Sequence, residues 1–196
     1  MKNKGTLQTF KLFMRLVDWR SIRLRRQACN LCGHDTLIKF SENEHAVRCL
    51  ACRANPPAMC MATVLEELEP DLAHRHVYEL SSRGPLFSFL QSHCKRFTFS
   101  EFFEDVPPGA SKGGVPCQDV QGLTFSDQSF EVCTSTDVFE HVPDDGRAFR
   151  EVCRVLKPGG HLVFTVPLDI ESGTVERACL VEGRIEHLLP CLLYTS

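Results

Sequence analysis

No apolar run in this 196-residue chain is long enough to cross a bilayer, which excludes a spanning helix. A convincing signal peptide is missing too, because Lys11 and Arg15 interrupt the apolar stretch it would need. There is no internal repeat and no low-complexity tract. A soluble, cytoplasmic protein is the expectation, and its length suits one α/β domain with a small appendage. A reducing compartment disfavours structural disulfides, so the eleven cysteines need another explanation. Seven of them, Cys133 and Cys153 included, lie mostly in apolar contexts and read as small core residues.

The net charge of −3 conceals an asymmetry. Residues 1–27 hold eight Lys/Arg and one acid, Asp18, whereas the remainder holds 14 basic and 24 acidic residues. A basic arm thus precedes an acidic body. Within residues 10–24, Phe10, Phe13, Met14 and Val17 recur at helical spacing and predict an amphipathic helix. Such an arm leans slightly toward an anionic substrate, although a solvated helix packed on its own domain is the commoner explanation. No run of aromatics among basic residues supports base stacking.

Cys29-Asn-Leu-Cys32 and Cys49-Leu-Ala-Cys52 are two Cys-x-x-Cys pairs at about the separation of a four-cysteine zinc site. Two intervening residues let both sulfurs of a pair reach one ion, and Gly33 permits the tight turn that aims amides at them. Four thiolates would fill a tetrahedral shell and leave no place for water, which makes the expected Zn2+ structural. His34 and His45 are alternative ligands, but four cysteines already suffice. Asn55-Pro56-Pro57 then predicts a turn or linker. A helix follows over Met59–Leu68, with Met61, Val64, Leu65 and Leu68 on one face.

From residue 77 strands and helices alternate, which argues for a parallel sheet. The expected strands are 77–80, 96–100, 115–118, 130–134 and 161–166, with helices near 86–93 and 146–156 and a Pro/Gly-rich loop over 106–114. Glu79 ends the first strand, and Glu101 lies just past the second, 22 residues later. This is the dinucleotide-binding logic of a close loop followed by a ribose-binding acid. The glycine fingerprint is absent: Ser81 and Arg83 stand where glycines belong, and only Gly84 remains. That argues against an NAD-dependent oxidoreductase and favours a ligand without phosphates, since Glu79 attracts a cation.

The stretch from Asp119 to Leu168 resembles the second half of class I S-adenosylmethionine-dependent methyltransferases. The matching pieces are Asp119-Val120, Leu123-Thr124-Phe125, Phe139-Glu140-His141-Val142, and Arg154-Val155-Leu156-Lys157-Pro158-Gly159-Gly160. The resemblance implies an α/β, Rossmann-like, mostly parallel sheet with helices on both faces, preceded by a small zinc-ribbon-like module. It implies that Glu79, Ser81, Ser82 and Gly84 line the methionine part of S-adenosylmethionine and that Glu101 binds its ribose. Asp119 and Val120 would contact the adenine, and Thr136 would lie near the sulfonium. Asp137 and His141 are candidate general bases, although Asp137 could cap a helix and His141 could be structural.

The expected organisation is a basic arm over 1–27, a zinc module over 28–55, a methyltransferase domain over 56–190 and a foreign tail over 191–196. The family sheet has seven strands and this chain has room for five, so the domain reads as incomplete at its carboxyl end. The expected function is methyl transfer to an unidentified acceptor: a small molecule, a sugar or an RNA. The alternative is a non-catalytic, zinc-dependent module that binds nucleic acid or protein.

Overall fold

The computed structural model describes residues 20, 22–42, 46–167, 178–181 and 184–187. Most of the basic arm, His45 and the 191–196 tail lie outside these residues. The chain divides into two compact units. One runs to Pro70 and includes Arg83–His93; the other comprises Asp71–Ser82 and everything from Cys94 onward. Among the described residues no helix is long and apolar enough to cross a membrane.

The first unit opens with strand β1 (Arg23–Arg26), β2 (Thr36–Lys39) and β3 (Val47–Cys49), joined antiparallel in that order. The helix expected over residues 10–24 therefore does not reach Arg23 and Leu24, because these residues pair with Lys39 and Ile38. The core is slight: Leu31, Leu37, Ala46 and Ala54 surround the buried Cys29 and Cys49. Helix α1 (Pro56–Leu68) begins where the sequence suggested a break. Asn55 caps it, accepting from the Ala58 amide at 3.1 Å, and the two prolines occupy its first positions, where no N–H is required. Its buried face is Ala58, Met61, Ala62 and Leu65, while Val64 and Leu68 are exposed. Met61 and Leu65 lie on the expected apolar face, which is rotated by roughly a sixth of a turn toward Ala58 and Ala62. Helix α2 (Pro85–His93) packs beside α1 and buries Leu86, Phe89 and Leu90.

The second unit is built on a four-stranded, wholly parallel sheet. Its strands are β4 (His76–Glu79), β5 (Arg96–Phe99), β8 (Phe130–Thr136) and β9 (Leu156–Thr165), in the order β5-β4-β8-β9. Helix α3 (Asp145–Val155) is capped by Asp144, whose carboxylate accepts from the Arg147 amide at 2.8 Å. It sets Ala148, Val152 and Val155 into one core with Tyr78, Leu80, Val120, Phe130 and Phe139. The third expected strand, 115–118, is corrected. Its first residues form β7 (Val115–Pro116), which closes a small hairpin with β6 (Ser111–Lys112). Pro116 has no N–H to donate, so a full ladder beside β5 fails. What survives is one parallel bridge between Glu101 and Cys117. A separate antiparallel pair, β10 (Ala178–Val181) and β11 (Arg184–His187), follows the sheet in sequence.

The Lys157-Pro-Gly-Gly160 turn lies within β9 as a bulge. Phe130 pairs with Leu156 and Val132 with His161, so five steps of β9 face two of β8. Gly159 supplies a φ of +79°, and Lys157 forms an ion pair with Glu131. At Gly160 an added Cβ would sit 2.7 Å from the Glu131 carbonyl oxygen, so only glycine allows the strands this approach.

Candidate functional site

Parallel strands present their carboxyl ends together, and ligands bind there in open α/β sheets. Glu79 is the last residue of β4 and is fully buried. It accepts from Ser81 Oγ at 2.5 Å and from the Thr134 hydroxyl on the neighbouring β8. Burial, and to a lesser extent the Glu101 carboxylate, pushes its pKa up to about 7; the two hydroxyls pull the other way. Glu101 stands beyond β5 and accepts from Ser82 Oγ at 2.7 Å and from the Ser82 amide at 3.3 Å. The two acids expected from the sequence thus flank one serine turn at adjacent strand ends. Gly84, which belongs to the first unit, has a φ of +101° that favours glycine. Sequence reasoning missed Thr134, whose signal was a hydroxyl residue at the end of the expected strand 130–134.

Asp119 begins the segment after the Glu101–Cys117 bridge and accepts from the Gln121 amide at 2.9 Å, fixing a tight turn. Gln118 locks this loop reciprocally: it donates to Thr124 Oγ1 at 2.7 Å and accepts from the Thr124 amide at 3.0 Å. Val120 is buried within the core cluster. Thr136 is the last residue of β8 rather than a loop residue, and pairs with Thr165. Asp137 follows with a φ of +53°. Its amide donates to the Thr165 carbonyl at 3.2 Å and its carboxylate accepts from Thr165 Oγ1 at 2.9 Å. Asp137 therefore clasps the ends of β8 and β9 and caps no helix. The single turn over Phe139–His141 starts at Val138, without a side-chain cap. His141 lies there, 3.8 Å from Glu140.

The cysteines form a second site. The four sulfurs of Cys29, Cys32, Cys49 and Cys52 all lie within 4.8 Å of one another, with Cys29–Cys52 and Cys32–Cys49 at 3.6 Å. A tetrahedral shell with Zn–S bonds of about 2.3 Å has edges of about 3.8 Å, so this cluster could hold such an ion. The two knuckles repeat one design. Gly33 N donates to Cys29 O at 2.7 Å as Arg53 N does to Cys49 O at 3.0 Å. Cys29 N donates to His34 O at 2.8 Å as Cys49 N does to Ala54 O at 2.9 Å. Gly33 and Arg53 both take left-handed φ angles, +74° and +63°. Burial opposes ionisation of Cys49, but the Cys52 and Ala51 amides and neighbouring thiols outweigh it and bring that thiol down to about 7. Burial, together with the other three thiols, pushes Cys52 up to about 12. With all four sulfurs ionised, this spacing would need a cation between them.

Comparison with known proteins bears on the parallel sheet. Residues 90–164 match a family described as a methyltransferase domain. A ubiquinone biosynthesis O-methyltransferase of Coxiella burnetii is 41% identical over 108 residues, covering 50% of this chain and 46% of that protein. A malonyl-(acyl-carrier protein) O-methyltransferase of Methylococcus capsulatus is 36% identical over 82 residues, covering 40% of this chain and 30% of that protein. The chain thus spans less than half the length of these relatives. Among solved structures, an S-adenosylmethionine dependent methyltransferase from Mesorhizobium loti aligns with a TM-score of 0.44 at 21% identity, covering 66% of this chain and 63% of that one. The family match runs through β5, β8, α3 and nearly all of β9 of the parallel sheet, so over residues 90–164 the chain is similar to the methyltransferase-domain family.

Proposed function

We propose that the protein transfers a methyl group from S-adenosylmethionine to an acceptor, and that its four cysteines hold a structural Zn2+. One observation carries the reading: Glu79 and Glu101 close adjacent parallel strands around the Ser81–Ser82 turn, in a chain whose residues 90–164 match the methyltransferase-domain family. When bound, S-adenosylmethionine supplies an activated methyl group on a cationic sulfonium. Glu101 would accept from the ribose hydroxyls, and Glu79 with the serine turn would face the methionine part. Asp119 and Val120 would meet the adenine, and Thr136 would border the reacting end. Much of such catalysis is positioning of a nucleophile in line with the methyl group. Asp137, engaged by Thr165, would hold the mouth of the site in shape, and His141 would take a proton from an acceptor that needs to lose one. The acceptor class stays open among small molecules, sugars and RNA, and a cytoplasmic setting is part of the proposal.

Calorimetric titration with S-adenosylhomocysteine tests this reading. The protein should bind it, and Glu101→Ala should weaken binding by roughly 10- to 100-fold, the worth of hydrogen bonds to a charged group. Undiminished binding by the variant removes Glu101 from the site. Absence of binding by the parent chain removes the reading itself.

A further inference from the structure

The first unit carries a basic surface to which the proposed cofactor site assigns no role. Between Arg20 and Ala54 the sequence has seven Lys/Arg against three acids. Strand β1 is exposed along its whole length, as Arg23, Leu24, Arg25 and Arg26. It is the outer strand of the sheet, with β2 on one side and no described strand on the other. The side chains of Arg25 and Arg26 make no hydrogen bond or ion pair among the described residues. Arg23 reaches Glu42 at 3.9 Å in an exposed pair, a contact of little energetic worth. Across β2, Leu24 pairs with Ile38 and Ile38 with Arg48, so Arg48 lies on the face of Leu24 and Arg26, where its guanidinium sits over the Phe40 ring and donates to the Val47 carbonyl.

We propose that this edge of the cysteine module binds the phosphodiester backbone of a nucleic acid. Guanidinium groups present rigid donor forks that match phosphate oxygens, and the patch is arginine rather than lysine. Arg23 and Arg25 project on the same side of the strand, two rises of about 3.4 Å apart, so their two guanidinium groups can engage two phosphates of one strand. The strand offers no aromatic side chain for stacking, so the phosphates and not the bases are read. Leu24 is its single exposed apolar residue, too little to anchor the edge in a lipid surface.

Fluorescence anisotropy of the full chain with labelled single-stranded RNA and DNA of mixed sequence tests the proposal. Both should bind, within a few-fold of each other. Engagement of about four phosphates gives a slope of log affinity against log salt of roughly −3, or about 60-fold between about 50 and about 200 mM salt. The triple variant R23E/R25E/R26E should lose at least about tenfold in affinity and most of that slope, whereas K112E, on the other unit, should change little. If amide exchange shows that the triple reversal unfolds β2 and β3, R25Q/R26Q decides, with a loss of about threefold or more expected. Unchanged binding by whichever variant stays folded overturns the proposal. So does tighter binding to phosphatidylserine vesicles or to polyglutamate than to the nucleic acids.

Discussion

Glu79 shows how one buried carboxyl sets a pH dependence. Its pKa lies at about 7 rather than the usual 4.5, chiefly because burial penalises the ion. Between those two values the folded chain keeps a proton that the unfolded chain has released. Stability therefore falls as pH rises through this window and levels off above about 7. The cost at the upper end is of order 3 kcal/mol. Glu79→Gln cannot ionise, so its urea midpoint relative to the parent should rise from pH 5 to pH 8, and a constant difference would show that Glu79 is already ionised at pH 5. A second residue-scale asymmetry lies in the knuckles, where Gly33 and Arg53 occupy equivalent left-handed positions. An added Cβ at Gly33 meets nothing within 4 Å, so its cost there is conformational alone. Gly33→Ala should weaken metal retention by about 1 kcal/mol, and Arg53→Gly should strengthen it by up to a similar amount. Competition with a chromogenic chelator measures both, and changes of the same sign would contradict the equivalence of the two turns.

At the scale of elements, the β8–α3–β9 unit is held by Arg154, which reaches Glu151, Asp127 and the carbonyls of Leu123 and Phe125. These bonds raise its pKa further above the ordinary arginine value. The bulge after it makes a sharper demand. Gly160→Ala drives a Cβ into the Glu131 carbonyl and should cost at least about 2 kcal/mol, while Gly159→Ala, strained but sterically open, should cost about 1. Equal urea midpoints for the two variants would mean that the strands can part without loss. This unit was legible in the sequence because its signals are local: apolar strands, a helical stripe and a Lys-Pro-Gly-Gly turn. The bulge was not, since a turn signal does not say whether the ladder resumes on the same strand. Pro56 and Pro57 read as a break, yet proline fits the first turn of a helix as well as a linker, and only the Asn55 cap separates the two. Val115–Gln118 failed for the converse reason: a short β-prone run cannot show which neighbour it pairs with. In the candidate site, Glu79 and Glu101 were readable from strand-end position, whereas Thr134, Thr165 and the Asp137 clasp depend on strand register, which the sequence does not display.

The two units of the molecule are stabilised by different means. The sheet of the second unit encloses a sizeable apolar cluster that includes Tyr78, Phe130, Val152 and Val155. The ribbon of the first has strands of only three or four residues, and little beyond Leu31, Leu37, Ala46 and Ala54 to bury beside its cysteines. An apolar core of that size does not offset the conformational entropy of ordering three strands, and under the proposed reading metal ligation supplies the difference. Two strands of the ribbon also depend on a knuckle: Cys49 lies in β3, and Leu37 of β2 pairs with it. Treating the protein with a strong chelator should therefore abolish amide-exchange protection across Thr36–Lys39 and Val47–Cys49, while Val132–Thr134 in the middle of the parallel sheet keeps theirs. The amino end of α1 should fray in the same experiment, because Asn55 caps it directly beside Ala54, which accepts from the Cys49 amide. Cysteine-to-serine replacement at Cys32 should reproduce the loss without chelator. Protection that survives both treatments would mean that the ribbon folds on its own, and that the four sulfurs converge for a reason other than holding an ion.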